Sequence, residues 1–254
     1  MTETHLQIRR EGAVDYVVLN RPAVRNAFNE DLIAEMAAWA SRAANDAELR
    51  AAVLSGAGSV FCAGADLAWM AKMAAYSQED NIRDAMAAAR MFSAWDSLPI
   101  PVVARIHGAA IGGGAGLAAV ADIAIASSDA TFGFTEVKLG LVPAIIAPYV
   151  LAKIGRSAAR ELFLTGRRFT AEEAKHIGLV HAVVPVEQLD ATVSKYLDEI
   201  LGAGREAIAA SKALIRPICS ASPEEAMRLS VAAIAERRVS AEAQRRMKAF
   251  LKKG

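Results

Sequence analysis

The run Val102-Val103-Ala104-Arg105-Ile106 passes without a break into His107-Gly108-Ala109-Ala110-Ile111-Gly112-Gly113-Gly114-Ala115-Gly116-Leu117. A β-branched run that ends on glycines and opens an Ala-rich segment reads as a strand feeding a helix. A helix that starts on glycines presents amides with no intrahelical acceptor, together with the positive end of the helix dipole. Such a start suits a phosphate or a developing oxyanion. No Lys-Ser/Thr pair follows, which excludes a Walker A loop. The glycines are also wrongly spaced for a dinucleotide fingerprint, which would be expected on an early βαβ unit. Residues 107–122 are the most apolar stretch of the chain, yet they fall short of the roughly 20 residues needed to span a bilayer. A buried turn and helix is the expectation.

Further β-rich runs are Val14–Leu19, Ala51–Ser55, Asp122–Ala126 and Leu179–Val184. Helical patterns alternate with them. Asn29 can cap a helix through Leu32, Met36 and Trp39, and Ser77 one through Ile82, Met86, Met91 and Phe92. Strands alternating with helices predict an α/β fold with mostly parallel pairing, and by themselves suggest a doubly wound sheet. No tandem repeat of fixed period is present. Thr170-x-x-Glu173 and Ser222-Pro223-x-Glu225 read as capping boxes, the second with Pro at the first helical position. From about Val186 onward only helical patterns remain. The apolar Met247, Phe250 and Leu251 recur at helical spacing, on a tail that docks either on a partner subunit or on its own core.

Hydrophobic residues make up 54 % of the 254 positions, enough for a sizeable core and against disorder. The net charge of +1, with no basic stripe among aromatics, gives no electrostatic support for nucleic-acid binding. Cys62 and Cys219 have neither metal-ligand nor disulfide-framework spacing, and no metal constellation is visible. The start MTETHLQIRR lacks an apolar signal region. The expectation is a cytoplasmic chain with no membrane association.

Two other segments carry candidate chemistry. Phe61-Cys62-Ala63-Gly64-Ala65-Asp66-Leu67 follows the strand around Ala52–Leu54 and precedes a helical pattern through Trp69 and Met70. Its small residues allow close backbone approach to a ligand, with the Ala65 amide free to point at it. An ordinary strand-to-helix loop is the bland alternative. In Thr131-Phe132-Gly133-Phe134-Thr135-Glu136-Val137-Lys138-Leu139-Gly140, Glu136 lies in an apolar setting. Burial would raise its pKa and suit it to proton transfer near neutral pH. The alternative is a surface Glu paired with Lys138 or Arg156. His107 reads as a structural hydrogen-bonding residue. Cys62 reads as a small buried residue and Asp66 as a helix cap. Trp69 and Met70 are either acyl-pocket or core residues.

In this order and spacing the segments resemble the enoyl-CoA hydratase/isomerase (crotonase) family over nearly the whole chain. The resemblance is carried by Leu19-Asn20-Arg21-Pro22-Ala23-Val24-Arg25-Asn26-Ala27, Ala63-Gly64-Ala65-Asp66-Leu67, Gly112-Gly113-Gly114, Phe132-Gly133-Phe134-Thr135-Glu136, Leu139-Gly140-Leu141-Val142-Pro143, 164–171 and Gly178-Leu179-Val180. It implies a spiral core of ββα units over residues 1–190 and a helical C-terminal region over 191–254. It further implies homotrimers, commonly stacked into hexamers. The substrate would be an acyl-CoA thioester, with no separate cofactor. The amides of Ala65 and Gly113 fall at the oxyanion-hole positions, and Glu136 at that of a catalytic acid–base. Arg25, Ala27 and Ala63-Gly64-Ala65-Asp66-Leu67 fall at CoA-binding positions, Gly112, Gly116, Trp69 and Met70 at the substrate pocket. Lys253 matches a tail residue that reaches a neighbouring subunit's CoA.

The chain departs from the pattern at two places. Typical hydratases of the family use two glutamates, and the first falls at Gly116, which cannot orient or deprotonate water. The usual Gly-rich stretch after Pro143 is replaced by Ala144-Ile145-Ile146-Ala147-Pro148-Tyr149-Val150. These changes, with Ala68-Trp69-Met70 and Val239-Ser240-Ala241-Glu242, resemble a bacterial subgroup assigned to methylglutaconyl-CoA or isohexenylglutaconyl-CoA hydration. The resemblance thus implies hydration of a 2-enoyl-CoA, branched and carboxylated in that subgroup. Double-bond isomerisation by Glu136 alone and a non-catalytic CoA-binding paralogue are the alternatives.

Overall fold

A computed structural model describes residues 4–252. Its strands are β1 (Leu6–Glu11), β2 (Val14–Leu19), β3 (Ala51–Gly56), β4 (Val102–Ile106), β5 (Ala109–Ile111), β6 (Ile123–Ser127), β7 (Thr131–Gly133), β8 (Arg168–Thr170) and β9 (Ala182–Val184). β1 and β2 form an antiparallel hairpin, and β2, β3, β4, β6 and β9 run parallel in a six-stranded sheet ordered β1-β2-β3-β4-β6-β9. The central strands bury both faces, which explains their near-continuous apolar runs.

The strand order advances in one direction, so the sheet is not doubly wound. In a doubly wound sheet the order reverses at a switch point. Here β4 and β6 are each followed by a second, short strand that leaves the main sheet. These strands, β5 and β7, pair in parallel, and β8 adds antiparallel to β7. Isolated bridges extend this layer, Cys62 to Ala110 and Phe28 to Ala65. The chain thus climbs as a spiral of ββα turns, as the family resemblance implies. Three-residue strands carry too little alternation to be read from sequence. For the same reason the Leu179–Val184 run is strand only over its last three residues, while Leu179 and Val180 are buried in the approach.

The helices are α1 (Glu30–Ala44), α2 (Leu67–Met73), α3 (Gln78–Asp96), α4 (Gly113–Val120), α5 (Ala147–Thr165), α6 (Ala171–His176), α7 (Leu189–Gly202), α8 (Arg205–Ser220), α9 (Pro223–Val239) and α10 (Ala241–Leu251). Asn29 caps α1, accepting the Leu32 amide at 3.0 Å. Ser77 and Thr170 form reciprocal capping boxes with Asp80 and Glu173. At α9 only half of the expected box forms. Ser222 accepts the Glu225 amide, but the Glu225 carboxylate turns to Arg228, at 2.6 and 2.8 Å. The main core lies between the two sheets and α1, α3, α4 and α5, where the tilted rings of Trp39 and Trp95 pack with centroids 4.5 Å apart. A smaller core forms where α7 lays Val193, Leu197 and Ile200 on the other face of the main sheet.

The tail is tied to the core by polar groups. Lys212 of α8 donates to Asp122 at 2.7 Å, and Arg50 donates to the carbonyls of Leu201 and Ala203 at 2.8 and 2.7 Å. Buried Glu242 of α10 accepts the amides of Glu206 and Ala207 at the start of α8, at 3.2 and 3.0 Å. Gly204 makes room for it, since a Cβ there would lie 2.5 Å from Glu242 Oε2. Burial opposes ionisation of Glu242, but the Ala207 and Glu206 amides outweigh it and hold the pKa below the ordinary value. The stabilisation is therefore present above the ordinary carboxylate range and lost as pH falls through the depressed value. Glu242→Ala is expected to lower stability at neutral pH by about 1–2 kcal/mol, the scale of a lost helix cap. Urea unfolding of the variant should show a smaller loss on acidification than the parent protein.

Candidate active site

The three candidate segments, far apart in sequence, lie side by side. The turn at residues 21–27 begins the arrangement. Arg25 and Asn26 both adopt φ 56°, a left-handed conformation that Asn tolerates and Arg does not favour. Asn26 is fully buried and stabilises the turn. It accepts the Arg21 amide at 2.9 Å and donates to the carbonyls of Ala57 and Val60 at 2.8 and 2.9 Å. The Arg25 carbonyl accepts the Ala63 amide at 3.0 Å. Phe28 bonds Gly64 O and Asp66 N at 2.7 and 2.8 Å. On the other side Cys62 exchanges bonds with Ala109 and Ile111, both 3.0 Å, and Gly112 donates to Gly133 O at 2.8 Å.

This ladder sets the two amides. Because Gly64 O and Asp66 N make the bonds to Phe28, the Ala65 N–H faces away from Phe28. Gly113 opens α4, so its N–H has no acceptor within the helix. Both residues line one cavity of about 160 Å³, together with Glu136, Phe28, Trp69 and Ile146. Gly112 (φ 53°, ψ −117°) makes the turn into α4 in a conformation open to glycine. A Cβ on it would stand 3.2 Å from Glu136 Oε1, so the carboxyl group lies against the helix start.

Glu136 begins a single 3-10 turn, Glu136–Leu139, closed by Gly140 in the left-handed region. Its side chain is half-buried, and Oε2 is enclosed with no hydrogen-bond partner among the described residues. It pairs with neither Lys138 nor Arg156. Burial pushes its pKa above the ordinary carboxylate value. Glu136 is the sole titratable side chain among the cavity-lining residues. If its carboxylate is the working form, kcat/KM should rise with pH, with a midpoint above the usual carboxylate range. The native state binds this proton more tightly than the unfolded chain. Its contribution to stability therefore falls as pH climbs from the unfolded value to the raised one.

The remaining candidates divide. Ala63, Gly64, Asp66 and Leu67 lie beside the Arg25–Phe28 turn and bridge, with Leu67 exposed. Asp66 is structural: it caps α2 through the Ala68 amide at 2.8 Å and pairs with Arg21 at 2.8 Å. Burial opposes its ionisation, but these partners outweigh burial and keep its pKa low. Trp69 lines the cavity and donates to Asp84 at 3.2 Å. Met70 does not line it, because one residue along a helix turns the side chain by about 100°. Gly116 does not face the cavity either, being covered by Ile146 and Phe92. Ala27 is buried and its carbonyl accepts from Arg21. His107 Nε2 donates to Gly58 O at 2.9 Å, a structural bond. Burial pushes the Cys62 thiol up to about 12, which leaves it inert. Lys253 lies outside the described residues. Among the described residues no His, Cys, Asp and Glu cluster is placed to hold a metal ion, and no helix is long and apolar enough to cross a membrane.

Most of the cavity's apolar wall carries no functional mark in the sequence: Phe28, Ile33, Ala88, Met91 and Ile145. Phe28 precedes α1, Ile33 lies on it, Ala88 and Met91 lie on α3, and Ile145 lies in the loop before α5; their own local patterns mark them only as core.

The enoyl-CoA hydratase/isomerase family model matches residues 9–254. The chain is 35 % identical over 210 residues to the short-chain-enoyl-CoA hydratase of Clostridium acetobutylicum, covering 82 % of this chain and 79 % of that protein. It is 30 % identical over 255 residues to the crotonyl-CoA hydratase of Syntrophomonas wolfei, covering 100 % and 97 %. The crystal structure of an enoyl-CoA hydratase from Shewanella pealeana superposes with a TM-score of 0.95 at 36 % identity, over 98 % of this chain and 94 % of that one. The chain belongs to the enoyl-CoA hydratase/isomerase family and is an enzyme with the crotonase fold.

Proposed function

We propose that this enzyme hydrates a 2-enoyl-CoA through a thioester enolate, with Glu136 as its sole acid–base. The observation that carries this reading is one cavity lined at once by Ala65, Gly113 and Glu136. The thioester oxygen accepts from the two amides. Water adds to C3 as the double-bond electrons move onto that oxygen. Glu136 takes the proton that water loses and returns it to C2 as the enolate collapses. Each well-placed donor to such an oxyanion is worth about 3–4 kcal/mol. Arg25, Ala27 and residues 63–67, segments bonded to one another on either side of the cavity-lining Ala65, are proposed to hold CoA.

The carboxylated, methylglutaconyl-like acyl group finds no Lys or Arg among the lining residues. An uncharged 2-enoyl group is therefore put first. Isomerisation is the second reading, favoured by the single titratable side chain, because one base can carry a proton between carbons. Crotonyl-CoA and a 3-enoyl-CoA separate the two. Loss of conjugated-thioester absorbance with water uptake supports hydration, and a gain of conjugation from the 3-enoyl-CoA supports isomerisation. Inactivity on both would sink this proposal.

We also propose a homotrimer or a hexamer of stacked trimers. The helical region of residues 191–254 would supply contacts around a core of residues 1–190. Exposed Met227, Val231 and Ile234 of α9 and Phe250 and Leu251 of α10 support this. Sedimentation at micromolar concentration tests it, and a monomer would rule it out.

A further inference from the structure

Gly116 is buried in α4, and a Cβ built on it would lie 2.2 Å from Ile146 Cγ2, 3.0 Å from Ile146 Cβ and 3.1 Å from Phe92 Cε1. The volume that a side chain at 116 would take is thus occupied by Ile146. Ile146 is itself 3 % exposed and forms part of the wall of the cavity that holds Glu136. It has little freedom to move. Its carbonyl accepts the amides of Tyr149 and Val150 at 3.1 and 3.0 Å, and the neighbouring Ala147 amide donates to Pro143 O at 3.0 Å. Phe92, the other neighbour of Gly116, is held between Phe28 and Tyr149, with ring centroids 6.0 and 6.2 Å away.

Two consequences follow from close packing. Any side chain at 116 must drive Ile146 or Phe92 toward the cavity. Any smaller residue at 146 opens the cavity toward α4. We propose that Ile146, seated on Gly116, is the specificity-determining residue of this enzyme, setting how much acyl chain the cavity takes. The proposal rests on reading that cavity as the acyl pocket. The same pair makes the one-acid site a steric property of two residues: a carboxylate side chain at 116 has no room until position 146 is made small.

Binding of saturated, unreactive acyl-CoAs tests this without turnover. Butyryl-CoA, octanoyl-CoA and free CoA are titrated into the full-length protein and into Ile146→Ala, Gly116→Ala and the double variant, with melting curves alongside. Each extra methylene accommodated in apolar surroundings strengthens binding about fourfold. Ile146→Ala is therefore expected to shift preference from butyryl-CoA toward octanoyl-CoA by about tenfold and to leave free CoA unchanged. Gly116→Ala should weaken both acyl-CoAs and lower the melting temperature, and the double variant should recover both. If Gly116→Ala does not fold, the preference shift in Ile146→Ala decides. A preference changed by less than about twofold in Ile146→Ala overturns the proposal. So does a Gly116→Ala protein that matches the parent in stability and binding. Failure of every CoA compound to bind the parent protein overturns the acyl-CoA reading as well, a result distinct from binding with an unmoved preference.

Discussion

Glu136→Gln is expected to lower kcat by about a thousandfold, within the range that a positioned acid–base contributes, while CoA and acyl-CoA still bind. Gln keeps the shape of Glu and can neither take nor give the proton. No other titratable side chain lines the cavity to substitute for it. The enclosed Oε2 has no hydrogen-bond partner among the described residues, and burial that raises its pKa brings proton exchange closer to neutral pH. The variant should also lose the acid limb of the pH profile. Its stability should decline less than the parent's as pH rises through the raised value, because the buried charge is gone. Crotonyl-CoA hydration followed by absorbance, with calorimetric CoA binding as the control, measures both. Turnover within about tenfold of the parent would remove Glu136 from the chemistry.

Gly114→Ala is expected to damage stability and turnover together. Gly114 lies in the first turn of α4, where the helix propensity of Ala over Gly is worth at most its value in a helix interior, about 1 kcal/mol, so the change should not harm the fold unless sterics intervene. Here the added Cβ would lie 2.5 Å from Cys62 O and 2.9 Å from Cys62 Cβ, neither on a flexible side-chain end. Relief requires α4 to move away from the segment around Cys62. Overpacking of this kind costs about 1–3 kcal/mol and occasionally more, which exceeds the propensity gain. At about 2–4 °C per kcal/mol for a chain approaching this size, the melting temperature should fall by several degrees. The same movement separates the Gly113 amide on α4 from the Ala65 amide beyond Cys62. If the two amides hold the thioester oxygen as proposed, turnover should then fall by about a hundredfold, the effect of losing one oxyanion donor. Gly202→Ala is the control: nothing lies within 4 Å of its Cβ, so it should leave activity unchanged and stability level or slightly higher. Equal melting temperatures for the two variants would show that the contact at Gly114 is not limiting.

Much of the architecture was readable because local chemistry and tertiary structure agree. β2 and β4 fall on the predicted runs, and β3 and β6 lie within a residue of theirs. The Asn29, Ser77 and Thr170 caps form as their spacing predicts. The glycine-rich entry to α4 and the apolar setting of Glu136 were also visible, since backbone freedom and burial leave marks in residue type. The doubly wound sheet failed as an expectation because β5, β7 and β8 are three residues each and are defined by their partners, not by their own pattern. The box at Ser222 half-failed because Arg228 competes for Glu225.

The sequence by itself determined the longer strands and the capped helices, the family resemblance and the residue types able to do acid–base and oxyanion chemistry. Only the tertiary structure decided which of them meet. Ala65, Gly113 and Glu136 share a cavity through a ladder of single bonds among segments far apart in the chain. Gly116, which the resemblance assigns to the pocket, lies beneath Ile146. Contacts between distant segments depend on the packing of both partners at once, and no one-dimensional pattern around either residue carries that information.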